Sequence, residues 1–201
     1  MIGMNVSVNG MQSVIAALRK EIAKLTAGKG VLVGIHESDA GRDAEEITNA
    51  SLGAVLHFGA DINHPGGTEY GYATKRDEKK KRVRFLKKGT GYKVLGTTGP
   101  HQIKIPARPW LDVGVAKASE EYVEIFKEGA KRNWSAEKIL NQVGAVAAAS
   151  AQEYMADLKT PPNAPSTIRK KGSNNPLVDS GALRQSISYS ITEALPQEGL
   201  Q

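Results

Sequence analysis

Cysteine is absent from this chain, which excludes a disulfide framework, a thiolate metal site and a cysteine nucleophile. Aromatic residues are scarce, with two Trp, six Tyr and three Phe in 201 residues. Any core must therefore be aliphatic and alanine-rich. No apolar run approaches the roughly 20 residues that span a bilayer, so no membrane contact is expected. Residues 1–10 lack the charged start and apolar centre of a secretory leader, and synthesis in the cytoplasm is the expectation. Catalytic signatures are missing too. There is no Gly-x-Ser-x-Gly elbow, and no glycine-rich phosphate loop ahead of a Lys-Ser/Thr pair; Gly28-Lys29-Gly30 reads as a helix terminator. His57, Asp61 and His64 lie close in sequence, and His101 is able to join them. A metal-dependent hydrolase built there is one reading. Solvated helix-end and turn histidines are the blander one, and it is preferred because no second histidine sits one helical turn away on a firm helix. The reading is a non-enzyme without cofactor or metal.

What the chain does have is unevenly placed charge. The formal net charge is +6. Lys75 to Lys93 holds ten Lys/Arg against two acidic residues, a local +8, and the remaining seventeen basic and nineteen acidic residues give −2. The positive character belongs to one appendage. Its candidate contact residues are Lys79, Lys80, Lys81, Arg82, Arg84, Lys87 and Lys88. Three uses fit them: phosphates of passing DNA, an acidic surface on a protein partner, or plain solvation. Partner docking is favoured, because Tyr70, Tyr72, Phe85 and Tyr92 are too few and too irregular for a base-stacking platform.

Periodicity sets out the elements. Met11, Val14, Ile15, Leu18, Ile22 and Leu25 share one face of a helix from about Gly10 to Ala27, ended by Gly28 and Gly30. Val31 to His36 is a short apolar strand, Asp39 to Arg42 a loop, and Ala44 to His57 a second helix marked by Ile47, Leu52, Val55 and Leu56. Ile62 to Gln102 has no helical period and reads as an inserted, β-rich arm, with a solvated, partly mobile loop as the blander alternative. Within it Tyr70 and Tyr72 mark one strand, Val83 and Phe85 a second, and Gly89-Thr90-Gly91 closes a hairpin onto Tyr92 to Gly96. Ile103 to Ile105 returns to the body as a strand. A helix from about Val113 to Arg132 follows, then one capped by Ser135 and running to about Leu158, with small side chains over Ala145 to Ala151 that allow another backbone close. The order predicts an α+β fold: a small mixed or antiparallel sheet covered by amphipathic helices, a core of residues 1–61 and 103–201, and an inserted basic arm at 62–102.

The most informative stretch is Thr160 to Ile191. Pro161, Pro162 and Pro165 stiffen its start. Arg169, Lys170 and Lys171 form a basic triplet that is either a solvated loop or a contact between subunits. Ser173 to Pro176 is a turn cluster, Ser180 caps a helical turn, and Ile187, Tyr189 and Ile191 alternate as a strand. Upstream, Arg108 sits between two prolines, well held to present its guanidinium to a carboxylate, while Trp110 and Leu111 read as core.

Two pieces of this pattern, Leu177-Val178-Asp179-Ser180-Gly181 with Leu183 and Ser186-Ile187, and Ile105-Pro106-Ala107-Arg108-Pro109-Trp110-Leu111, resemble the signature of tailed-bacteriophage neck and tail-completion (virion morphogenesis) proteins. The second piece carries Trp where the family usually has Phe. Ile62–Gln102 departs from the pattern, since shorter members do without it, and no family role is carried onto it. The resemblance implies a structural protein of the virion neck or tail: a tail-completion, terminator or head–tail connector ring around the DNA channel. It implies a homo-oligomer, hexameric or dodecameric, whose neighbours are neck, connector and tail-tube or sheath proteins, with non-specific contact to DNA in the channel. Asp179, Arg108 and the 169–171 triplet are then candidate contact residues. The rival reading is a DNA-binding or DNA-processing module that uses the basic 75–93 arm.

Overall fold

The computed structural model describes residues 20–36 and 47–193. The expected loop at 39–42, the start of the second helix and most of the first helix lie outside them; residues 20–25 are helical. The fold is α+β. In chain order the elements are β1 (Gly30–Ile35), α1 (Asn49–Phe58), β2 (Ala60–His64), β3 (Glu69–Tyr72), α2 (Lys75–Lys79), β4 (Arg84–Phe85), β5 (Lys93–Thr97), β6 (His101–Ile105), α3 (Trp110–Lys117), α4 (Ser119–Lys131), α5 (Ala136–Asp157), α6 (Pro165–Lys171), α7 (Ala182–Gln185) and β7 (Ile187–Thr192). Instead of one sheet, three small antiparallel ones form among the described residues: β1 with β7, β2 with β6, and β4-β3-β5. The chain divides into two compact units, residues 1–57 with 108–201, and Phe58–Ala107.

The first unit is built around α5. Ser135 caps it, its side chain accepting from the Lys138 N–H at 3.3 Å. Ile139 and Met155 on this helix are fully enclosed, and burial of such a side chain contributes roughly 2 kcal/mol. Trp110, Ala151, Met155, Leu177, Leu183 and Ile187 belong to one buried cluster, with Val33 and Ile35 of β1 and Tyr189 of β7 packed on it. The alanine-rich segment does what its small side chains allow. A Cβ on Gly114 of α3 would lie 2.7 Å from the Ala151 Cα, so the helices touch backbone to backbone. The Ser150 hydroxyl donates to the Gly114 carbonyl at 2.7 Å across that contact. The β1–β7 ribbon runs in register from Gly30↔Thr192 to Ile35↔Ile187. A two-stranded ribbon is marginal alone, and packing on α5 supports it; the Tyr189 ring lies directly over Gly144.

Two expected helices differ. The helix of Val113–Arg132 is broken at Ala118, which ends α3 and begins α4. Neither Gly nor Pro marks the break, and the apolar period runs through it. The Tyr122 hydroxyl bridges it by donating to the Val115 carbonyl at 2.7 Å. In α1, Asn49, Gly53 and His57 are buried, while Ile47 is exposed ahead of the helix. Gly53 lies inside because the Trp110 indole covers it and donates to its carbonyl at 3.1 Å.

The second unit begins and ends with paired strands. β2 and β6 run from Ala60↔Ile105 to His64↔His101. The strand at Ile103–Ile105 therefore belongs to the insertion and does not join the body's sheet. Beyond the ribbon, the chain turns at Pro65-Gly66-Gly67 and again at Thr98-Gly99-Pro100, with Gly67 N–H donating to the Thr98 carbonyl at 2.8 Å and Thr98 N–H to the Thr68 carbonyl at 2.9 Å. The tip follows. β3 is its central strand, with β4 on one side and β5 on the other. The expected β4–β5 hairpin does not form, because both strands pair with β3 instead. Sidedness differs as well. Leu86 is the buried residue, seated against Gly91, while Val83 and Phe85 are exposed.

Candidate functional site

Two regions carry the residues singled out from sequence, one in each unit. In the second unit the basic stretch is organised by Asp77. Thr74 caps α2, its hydroxyl oxygen accepting from Asp77 N–H at 3.1 Å while the hydroxyl donates to the Asp77 carboxylate at 3.0 Å. Arg84 donates to the other carboxylate oxygen at 3.1 Å. Burial pushes the Asp77 carboxyl up, but the Thr74 hydroxyl and the Arg84 guanidinium outweigh it and hold the group below its ordinary value. Lys93 reaches Glu78 at 2.9 Å, and that hydrogen bond raises the ammonium above its usual range. The two acidic residues of the 75–93 stretch are thus spent on Arg84 and Lys93. The other eight of its ten cations, Lys79, Lys80, Lys81, Arg82, Lys87 and Lys88 among them, are exposed and form no ion pair among the described residues. Arg84, one of the candidate contact residues, braces Asp77 through this ion pair while its side chain stays half exposed.

In the first unit the proline-rich loop is held by Arg108 and Asn175. Arg108 is only 3% exposed. It donates through Nε to the Pro161 carbonyl at 2.8 Å, and through Nη2 to the Pro162 carbonyl at 3.2 Å and Asn163 Oδ1 at 3.4 Å. The expectation that it presents itself to a carboxylate is corrected: the guanidinium is enclosed and satisfied by the loop it supports. Burial lowers its pKa from the ordinary value. The Thr160–Pro161 peptide is cis. Asn175, which sequence reasoning passed over as one turn residue among four, is the centre of the following segment. Its Oδ1 accepts from Leu177 N–H at 2.9 Å and Val178 N–H at 2.8 Å, and its Nδ2 donates to the Ala156 carbonyl at the end of α5. Its own carbonyl accepts from Lys171 Nζ at 2.6 Å. An Asn ahead of Pro and an apolar pair is the signal that marks such an Asx-type turn.

The basic triplet lies on α6, not on a loop. Pro165 opens this helix and Gly172 closes it in the left-handed conformation, the favoured asymmetry. Arg169 and Lys170 are exposed, whereas Lys171 turns inward. Burial pushes the Lys171 ammonium down, Asp179 opposes that and Arg108 adds to it. Asp179 is exposed. Ser180 receives the Ala182 N–H at 3.3 Å, although Gly181 is the residue at the N-terminal boundary of α7.

Of the candidate histidines, His57 belongs to the first unit and His64 and His101 to the second. His57 is buried, 3.3 Å from Asp112 through Nε2 and 3.4 Å from the Leu111 N–H through Nδ1, with Trp110 edge-on at 5.9 Å. Its place is in the packing of α1 on α3, which corrects the reading of a solvated helix end. His64 and His101 stack across β2–β6 at 4.9 Å. Among the described residues no three His, Asp or Glu side chains converge as metal ligands, and no helix is long and apolar enough to cross a membrane. Comparison with protein-family models, with curated proteins and with solved structures finds no match.

Proposed function

We propose that this protein is a structural component of a tailed-bacteriophage virion, a tail-completion, terminator or connector protein that acts by forming a homo-oligomeric ring at the head–tail junction. One observation carries the reading. The two sequence pieces that resemble the family's signature are some 70 residues apart in the chain, yet Trp110 of the first shares a core with Leu177, Leu183 and Ile187 of the second. Arg108 of the first also holds the proline loop that leads into the second. A chance match of two short strings gives no reason for such convergence; a shared domain does. The work is association, with neighbouring neck and tail proteins as partners and no chemical step.

The test is electron microscopy of particles made with and without the chain. Without it, filled heads and free tails should accumulate unjoined, and the protein should be found in finished particles at fixed copy number. Normal particles in its absence would reject the proposal. The rival DNA-binding reading draws on the eight unpaired cations of the tip. It requires duplex affinity that falls steeply with salt, together with normal joining when those cations are neutralised.

A further inference from the structure

The exposed surface of α2 and of the turns beside it carries charge of one sign. Asp77 and Glu78, the acidic residues of α2, both reach edge strands of the tip sheet: Asp77 holds Arg84 of β4 at 3.1 Å, and Glu78 holds Lys93 of β5 at 2.9 Å. Lys75, Arg76 and Lys79 on the same helix are exposed. Lys80, Lys81 and Arg82 continue the run through a turn in which Lys81 N–H donates to the Glu78 carbonyl at 2.9 Å and Arg82 N–H to the Asp77 carbonyl at 2.8 Å. Lys87 and Lys88 stand on a second turn, closed by Thr90, whose N–H and hydroxyl donate to the Lys87 carbonyl at 2.8 and 2.6 Å. Glu69 of β3 accepts from the Gly89 N–H at 3.3 Å and forms no ion pair among the described residues. Residues 58–107 together hold eleven Lys/Arg against four Asp/Glu, a charge of +7. Cations gathered this closely repel one another, and a partner with closely spaced negative charge relieves that repulsion.

The strand register decides among such partners. A protein interface is built on an apolar centre, and a bilayer takes apolar side chains from one side of a charged face. The tip offers neither. Phe85, Tyr70 and Gly96 form a row on one face of the sheet, whereas Val94 pairs with Gly71 and lies on the other. A duplex needs no apolar complement: its phosphates set out one negative charge per about 1.7 Å of axis and take up cations alone. A single strand fits less well. Phe85 and Tyr92 are the exposed rings of the tip, and the Tyr70 ring lies over Gly96, so successive bases find no row of rings to stack on. Residues 75–97 also contain no Asn or Gln, the amides that read adenine edges.

We propose that the tip of the second unit binds the phosphate backbone of double-stranded DNA without reading its sequence. The Lys79–Arg82 run and the Lys87–Lys88 pair supply the contacts, and the Asp77 and Glu78 anchors keep α2 seated on the sheet while they engage. The proposal goes beyond the ring reading and does not depend on it: a chain that joins heads to tails can lack duplex affinity, and one that fails to join them can have it.

The full-length chain, titrated with a fluorescent 30-base-pair DNA duplex, tests this. Two duplexes of unrelated sequence should bind equally, and the logarithm of affinity should fall against the logarithm of salt with a slope of about −4 to −7, at about −0.9 per phosphate contact. Lys79→Gln, Lys80→Gln, Lys87→Gln and Lys88→Gln combined should weaken binding at least tenfold and flatten that slope by about 3, with circular dichroism unchanged. The same four positions changed to Arg should keep the affinity. Lys117→Gln, Lys127→Gln, Lys131→Gln and Lys159→Gln combined, all in the first unit, should keep it too. The salt slope is read on the unaltered chain and needs no variant to fold. Absence of duplex binding at 50 mM salt overturns the proposal. So does tighter binding of a single strand of the same length, or a first-unit variant that loses as much as the tip variant. If phosphatidylserine vesicles are bound through the tip and duplex is not, a lipid surface is the partner and the proposal falls.

Discussion

At the scale of single residues, buried polar groups decide more than apolar ones. Asn175 satisfies two backbone donors and one carbonyl at once. Asn175→Ala leaves Leu177 and Val178 N–H groups without an acceptor, at a cost of roughly 3 kcal/mol, and chemical denaturation should show that loss. Asn175→Asp keeps the acceptor and should lose less. Asp77 makes a second, pH-dependent prediction. Its folded-state carboxyl titrates below the ordinary 3.8, so the folded tip binds that proton less readily than the unfolded chain. Its contribution is complete above that value and disappears as pH falls through the folded one. Amide protection at residues 75–84, taken relative to the intrinsic exchange rate at each pH, should therefore fall in acid, and Asp77→Asn should flatten the dependence. These residues differ in how far they could be read in sequence. Arg108 finds its partners 53 and 54 residues away, which local pattern does not encode, so it resembled a waiting cation. Asn175 bonds two and three residues ahead and so resembled an ordinary turn former, while its reach back to Ala156 left no local sign.

At the scale of elements, hydrophobic periodicity was a sound guide wherever one face meets one core. β1, α5 with its Ser135 cap, and the alternating β7 all follow from it. It misled where packing cuts across a continuous pattern, as at Ala118, and where strands are short enough to choose among partners, as in β4 and β5. The small-residue stretch of α5 was legible because absence of bulk is itself a packing instruction. Gly114 gives the corresponding prediction. Gly114→Ala gains about 1 kcal/mol of helix propensity but drives a methyl into the Ala151 backbone, and overpacking of that kind costs roughly 1–3 kcal/mol. Net destabilisation in a thermal melt is the expected outcome; a more stable variant would show that α3 and α5 move apart freely.

At the scale of the whole molecule, the basic insertion was visible as a change of composition, although its limits, Phe58 and Ala107, lie outside the 62–102 read from pattern. The boundary cuts through β2 and β6: Ala60 and Asp61 were given to the body, and Ile103 to Ile105 were read as one of its strands. Where the chain departs at His57 it also returns: the Arg108 N–H donates to the Leu56 carbonyl at 2.9 Å and to the His57 carbonyl at 3.1 Å. Replacing residues 59–106 by a four-residue Gly-Ser linker should leave the first unit folded, with its dispersed amide spectrum retained. If the excised chain is unfolded, the insertion is needed to build the body. A departure and return pinned to adjacent peptide groups behaves as a socket. Any hairpin whose ends sit one hydrogen bond apart can be plugged into it, so the appendage is free to change length, charge and target over evolutionary time while the scaffold beneath keeps a single set of constraints.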